Sequence, residues 1–309
     1  YTGRGISIAR SAPDPAIAKV AEPMNRQIDW PSISVPLDVT DIETGSHYLR
    51  RWLAFEQTAC GLVFRCELAS GQQVAFRLDV VAAYILRVRM SQEDIHDGPS
   101  DMLVPPEQGQ TPPPFTVREA DGRLVLTTAK LRAEFPRYPW QMRVFAAAQT
   151  GQDLPFFSEQ CHDRAYGPYY EVPPPGFDEG PYGRLTVRET VAVGPGEAFY
   201  GSGERFTPLN KWGQELVLWA TDSGNVSSPR SYKNVPFLMS TAGYGLFVHS
   251  SHPMLFRLGS ESSISYSIHV DDGCLDYFLI YGPEPKQILA RYAALTAHAP
   301  VPPKWPFGF

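Results

Sequence analysis

The chain has 309 residues, 27 basic against 33 acidic side chains for a formal net charge of −6, and 43% hydrophobic content. This composition excludes wholesale disorder, and scattered, outnumbered Lys and Arg argue against a nucleic-acid partner. No run approaches the ~18 unbroken apolar residues of a membrane helix, so no membrane partner is expected, and the opening YTGRGISIARSAPD lacks the apolar centre of a signal peptide.

Four cysteines, Cys60, Cys66, Cys161 and Cys274, are too few for a disulfide scaffold and form no C-x-x-C pair. Small core hydrophobes is the role they suggest. Cys60 and Cys66 would share a face of one strand, too far apart to bond. The redox compartment stays open, a cytoplasmic reading being slightly favoured. Asn225-Val-Ser is a lone glycosylation triplet of a kind that arises by chance.

Along the chain, a weak helical pattern at 14–26 is broken by Pro23. Period-2 alternation then dominates. Runs 60–68 and 73–78 read as a hairpin across Ser70-Gly71. Run 80–90 reads as one longer strand with Tyr84, Leu86, Val88 and Met90 on one face and Arg87 and Arg89 on the other. Further strands are expected at 115–119, 124–128, 131–135, 142–146, 184–193, 215–219, 237–240, 245–250, 254–258, 263–270 and 275–280. Asp121-Gly122 and Asp272-Gly273 are expected hairpin turns. So many short strands predict a mainly β fold, a large antiparallel sandwich. Segments 95–114 and 152–183, rich in Pro with acidic or Tyr residues, read as surface excursions. Firm helical periodicity occurs once, at 283–297, with Ile288, Leu289, Tyr292 and Leu295 on one stripe and proline in the first turn. A stiff proline-rich linker follows.

Familiar motifs fail when tested. A nucleophile elbow needs glycine two places before Ser202, where the chain has Tyr200. A dinucleotide loop would need its third glycine at Phe206. His249 and His252 have a metal-pair spacing only on a helix, and their setting is a strand end before Pro253. His162-Asp163 and Asp271-Asp272 read as solvated turns. The surplus of aromatics, 17 Phe, 15 Tyr and 6 Trp, suits stacking on sugar rings. Retaining glycoside cleavage needs two carboxylates about 5 Å apart, and alternation does not say which of the acids could provide them.

Five motifs go further: FYGSGERFT at 199–207, LWATD at 218–222, YKNVPF at 232–237, GYGLFV at 243–248 and PPKWPFGF at 302–309. Their order and spacing resemble glycoside hydrolase family 31. The YKNVPF and ERFT forms look closest to bacterial-type α-xylosidases, although α-glucosidases and sulfoquinovosidases share much of them. Residues 1–198 agree only in general pattern, best at 84–91.

The resemblance implies a galactose-mutarotase-like β-sandwich over 1–282, a connecting helix and linker at 283–303, and at 304–309 the first strand of a (β/α)8 barrel that is not in the chain. It implies retaining hydrolysis of α-glycosides without metal or organic cofactor. Both catalytic aspartates of that family lie on the barrel, so no catalytic residue is expected here and the piece should be inactive alone. The implied partners are an α-linked oligosaccharide and the barrel; homo-oligomerisation is left open. A free-standing carbohydrate-binding module is the alternative from another class. Asp222 corresponds to a family aspartate on a sandwich loop that hydrogen-bonds sugar hydroxyls. On local grounds alone it reads as a turn residue in Thr-Asp-Ser-Gly. Glu204 and Arg205 are expected to pair or cap within the sandwich, Phe206 and Thr207 to shape the approach, and Trp219 to sit in the core. Ser202 stands where the family usually has leucine.

Overall fold

The computed structural model describes residues 47–95, 97–98, 100–105, 111–147, 155–161, 173–179, 185–222 and 230–307. The chain divides into two units, residues 1–33 and 34–309. The first unit, with its expected helix at 14–26, lies outside the described residues, as do Asn225, His162 and Asp163.

Among the described residues there are eighteen strands. They are β1 (His47–Gln57), β2 (Gly61–Leu68), β3 (Gln73–Ala82), β4 (Ile85–Ser91), β5 (Phe115–Ala120), β6 (Arg123–Thr128), β7 (Leu131–Pro136), β8 (Arg143–Ala146) and β9 (Phe157–Ser158). Then come β10 (Gly176–Glu179), β11 (Leu185–Ala192), β12 (Phe199–Gly201), β13 (Gln214–Leu218), β14 (Phe237–Ser240), β15 (Tyr244–Val248), β16 (Met254–Leu258), β17 (Ser265–Val270) and β18 (Cys274–Tyr281). Thirteen form one sheet in the order β12-β14-β15-β18-β4-β3-β2-β1-β10-β11-β17-β16-β13, and β5 to β9 form a second. The expected mainly β, galactose-mutarotase-like sandwich is what the chain adopts.

The long sheet turns over at β1. His47 and Tyr48 pair with β10, while residues 49–57 pair with β2 through register shifts at Leu49/Arg51 and Trp52/Ala54. Such bulges sharpen twist and let one strand serve two layers. They also space the inward residues Leu49, Trp52 and Phe55 three apart, which hides β1 from a period-2 search. Rings from β2, from β3 and from β7 of the second sheet form an aromatic core in which Phe64, Phe76, Phe135 and Trp140 pack with ring centroids 4.6 to 6.4 Å apart.

Two expectations about strand connections are corrected. Run 80–90 is two antiparallel strands that turn at 83–84, with a bulge between Val80 and Ala82. Ala83-Tyr84 carries no glycine, Asn or Asp to announce that turn; Leu86, Val88 and Met90 do face the core. Asp121 and Gly122, with φ of +53° and +69°, form the expected primed hairpin. Asp272-Gly273 does not, because β17 pairs with β11 and β16 whereas β18 pairs with β15 and β4. The same dipeptide there carries the chain from one layer to the other. All four cysteines are free thiols.

Helix α1 (Pro285–Thr296) starts on a proline whose missing N–H costs nothing in the first turn. Ile288 is buried with Phe237, Phe247, Phe278 and Ile280, and Tyr292 stacks on Phe237 at 4.3 Å. The apolar stripe is Ile288, Tyr292 and Leu295. Leu289, one residue or about 100° round the helix from Ile288, is 47% exposed and off it. Residues Trp305–Phe307 form a 3-10 turn, and 308–309, the end of the expected strand at 304–309, lie outside the described residues. Prolines 302, 303 and 306 remove N–H donors there, and among the described residues no strand pairs with it.

Candidate functional site

β12 runs into Gly201-Ser202-Gly203, three residues with φ of +117°, +66° and +86°. This left-handed passage presses the loop against the YKNVPF segment: the Ser202 N–H donates to the Phe237 carbonyl at 2.9 Å and the Glu204 N–H to the Lys233 carbonyl at 3.1 Å. A Cβ at position 203 would lie 1.8 Å from the Lys233 oxygen, so only glycine fits. Ser202 is buried and cannot be an exposed nucleophile. The glycines therefore serve a close approach between two backbones.

Glu204 and Arg205 do not pair with each other. The Arg205 guanidinium donates to the Ser202 carbonyl at 3.2 Å, the Val217 carbonyl at 2.7 Å and Asn234 Oδ1 at 2.5 Å, tying the 199–207 and 232–237 motifs to strand β13 through its planar fork. Glu204 instead meets Lys233 at 2.9 Å, both side chains being more than 70% exposed. A pair so exposed contributes little, so Lys233→Ala should shift unfolding free energy by less than ~0.5 kcal/mol in urea titrations.

Strand β13 ends at Leu218, and beyond it Ala220 bridges to Ser231 while the Thr221 N–H donates to the Ser231 carbonyl at 3.2 Å. Asp222 follows at once. It is exposed, and its Oδ1 accepts from the Tyr232 hydroxyl. The motif segments carry three exposed aromatics: Tyr232 at 61%, Phe206 at 68% and Trp219 at 49%. Trp219 is thus not the core residue expected. Among these residues the sequence reading assigned Tyr232 no role; its place inside YKNVPF was the one available signal.

Two other acidic residues interact strongly but are sealed inside the sandwich. Glu159 and Glu189 are 0% and 1% exposed. Glu159 Oε2 accepts from the Trp140 indole at 2.8 Å and the Met142 N–H at 2.6 Å, and Glu189 Oε1 accepts from the Thr190 N–H at 2.9 Å. Burial pushes both carboxyls up, Glu159 further through the neighbouring Glu189 charge, and Glu189 to about 8. With no solvent access, neither can flank a scissile bond.

His249 and His252 do not converge on a metal, and no group of metal-binding type occurs among the described residues. His249 Nδ1 lies 2.7 Å from Asp276 Oδ2 and Nε2 2.5 Å from Ser100 Oγ, while His252 faces Asp272. Arg87 holds Asp276 through two bonds of 2.8 and 2.6 Å. Although burial opposes it, this guanidinium keeps the Asp276 carboxyl below its usual range. The network holds Ser100 through His249, and a little further on the Val104 N–H reaches the Leu295 carbonyl of α1.

The family model of the glycosyl hydrolase 31 N-terminal galactose mutarotase-like domain matches residues 75–256. The chain belongs to this family. The glycosyl hydrolase 31 domain is 43% identical over 122 residues to α-xylosidase XylQ of Lactiplantibacillus pentosus, covering 40% of this chain and 16% of that protein. It is 42% identical over 113 residues to an α-xylosidase of Emericella nidulans, covering 37% and 14%. Among solved structures, a glycoside hydrolase family 31 dextranase of Flavobacterium johnsoniae, complexed with glucose, superposes with a TM-score of 0.71 at 26% identity. That superposition covers 85% of this chain and 30% of the dextranase. The chain thus spans less than a third of the length of these relatives.

Proposed function

We propose that the chain is the non-catalytic N-terminal part of a retaining α-glycoside hydrolase, most like an α-xylosidase, and that Asp222 reaches into the substrate pocket to bind sugar hydroxyls. The observation that carries this reading is an exposed carboxylate, Asp222, presented where the 218–222 and 232–237 segments are bridged and bonded there to the exposed Tyr232 ring. A charged acceptor forms stronger bonds to hydroxyls than a neutral one, and aromatic faces suit pyranose rings. The interior position of Glu159 and Glu189 agrees with catalytic carboxylates located on another part of the protein. In the same reading residues 1–282 are the sandwich, 283–303 the connector, and 304–309 the first barrel strand once neighbouring strands take up its backbone groups. Its partners are then an α-linked oligosaccharide and the barrel.

The test is activity by parts. The 309-residue chain alone should turn over neither aryl α-xylosides nor aryl α-glucosides. Joined to the remaining C-terminal part, it should cleave the α-xyloside preferentially. Dominant α-glucoside cleavage would favour the α-glucosidase reading, which a 24%-identical α-glucosidase 2 of Bacillus thermoamyloliquefaciens supports over 208 residues. Stoichiometric sugar binding by the isolated chain, with no gain on adding a barrel, would favour a free-standing binding module.

A further inference from the structure

We infer that Tyr232 is a positioning residue for Asp222, fixing the carboxylate in the rotamer that receives a pyranose hydroxyl. This rests on the reading of Asp222 as a sugar ligand. Burial does not explain the position of the Tyr232 ring, which is 61% exposed, whereas its backbone is held from both sides. The Ser231 hydroxyl donates to the Glu204 carbonyl at 2.6 Å and accepts the Lys233 N–H at 3.1 Å. Asn234 Nδ2 donates to the Ser231 carbonyl at 3.0 Å while its Oδ1 receives Arg205. The bridge between Ala220 and Ser231 locks this segment to the one that presents Asp222. A rigid base therefore carries an exposed phenol whose hydroxyl donates to Asp222 Oδ1.

That arrangement has a physical use. A carboxylate in the loop beyond β13 loses side-chain freedom on meeting its ligand, and a donor fixed beforehand lessens that loss. An ionised carboxylate offers about four acceptor positions, so the Tyr232 bond is compatible with simultaneous acceptance from a sugar hydroxyl. The ligand class this favours is a neutral pyranose that donates to Asp222, because an anionic sugar group placed against the carboxylate would be repelled.

The experiment is a double-mutant cycle on the encoded protein that contains this chain, with aryl α-xyloside and aryl α-glucoside as substrates. Tyr232→Phe should lower kcat/KM about three- to tenfold, mostly through KM, the range expected for one side chain that must be immobilised on binding. In the Asp222→Ala background the same change should have no further effect, because nothing remains to be positioned. Thermal midpoints of both single variants should stay at the parent value, since both groups are at the surface. If Asp222→Ala is damaging but Tyr232→Phe is silent, or if the two losses multiply in the double variant, the positioning role is overturned and the reading of Asp222 survives. An Asp222→Ala variant with full activity, or a protein that cleaves neither substrate, overturns both.

Discussion

In the α-glycoside hydrolase proposed above, replacing Asp222 by alanine should lower kcat/KM ten- to a hundredfold. A hydrogen bond to a charged group contributes about 1.5 to 3 kcal/mol, which corresponds to that range of rate constants. The loss should be a loss of recognition and not of fold. Asp222 lies beyond the Ala220–Ser231 bridge, and the bonds that assemble the three loops run through Arg205, Ser231 and Asn234. Urea denaturation of the variant should therefore superimpose on the parent curve. Steady-state kinetics decide the matter: unchanged kcat/KM would remove Asp222 from the substrate site and leave its bond to Tyr232 as a surface contact.

The second large effect concerns stability and its dependence on pH. Glu189 has an ordinary value of 4.5, and burial raises it to about 8 in the folded chain. The folded state then holds a proton that the unfolded state releases between those two values. Stability from this group is full below pH 4.5, falls as pH rises through the window, and levels off above about 8. Glu189→Gln keeps an oxygen for the Thr190 N–H and carries no charge. At pH 5 the variant should match the parent within ~1 kcal/mol. At pH 8.5 it should be more stable by a few kcal/mol, because each tenfold change in proton affinity corresponds to about 1.4 kcal/mol. Urea unfolding at the two pH values measures the difference directly, and parallel pH profiles for parent and variant would show that the buried carboxyl is not held neutral.

Much of the sandwich was legible because a half-buried strand needs apolar residues at every second position. In β2, Leu62, Phe64, Cys66 and Leu68 face inward while Arg65 is exposed, and the run could be read directly. The same rule failed at β1, where two bulges alter the spacing, and at 83–84, where the chain turns without a turn residue. It also failed at Asp272-Gly273. Local turn chemistry permits a hairpin there, but it holds no information on which strands of a thirteen-stranded sheet will be neighbours. For α1, the 3.6-residue period found the helix, while the choice between Ile288 and Leu289 as the anchor depended on where β14, β15 and β18 offered Phe237, Phe247 and Phe278.

The site divides in the same manner. The five short motifs were enough to establish family resemblance and to single out Asp222, since those residue types recur in fixed order along the chain. Sequence by itself thus determined the β architecture, the position of the helix and the carboxylate of interest. Only the tertiary structure decided that Arg205 ties Ser202, Val217 and Asn234 together and does not pair with Glu204, that Tyr232 meets Asp222, and that Glu159 and Glu189 share the dry interior. The reason is physical. Periodicity and turn chemistry act over a few neighbouring residues, whereas hydrogen-bond partners and the loss of water around a carboxyl are set by strands that meet across the sheet, whatever their separation along the chain.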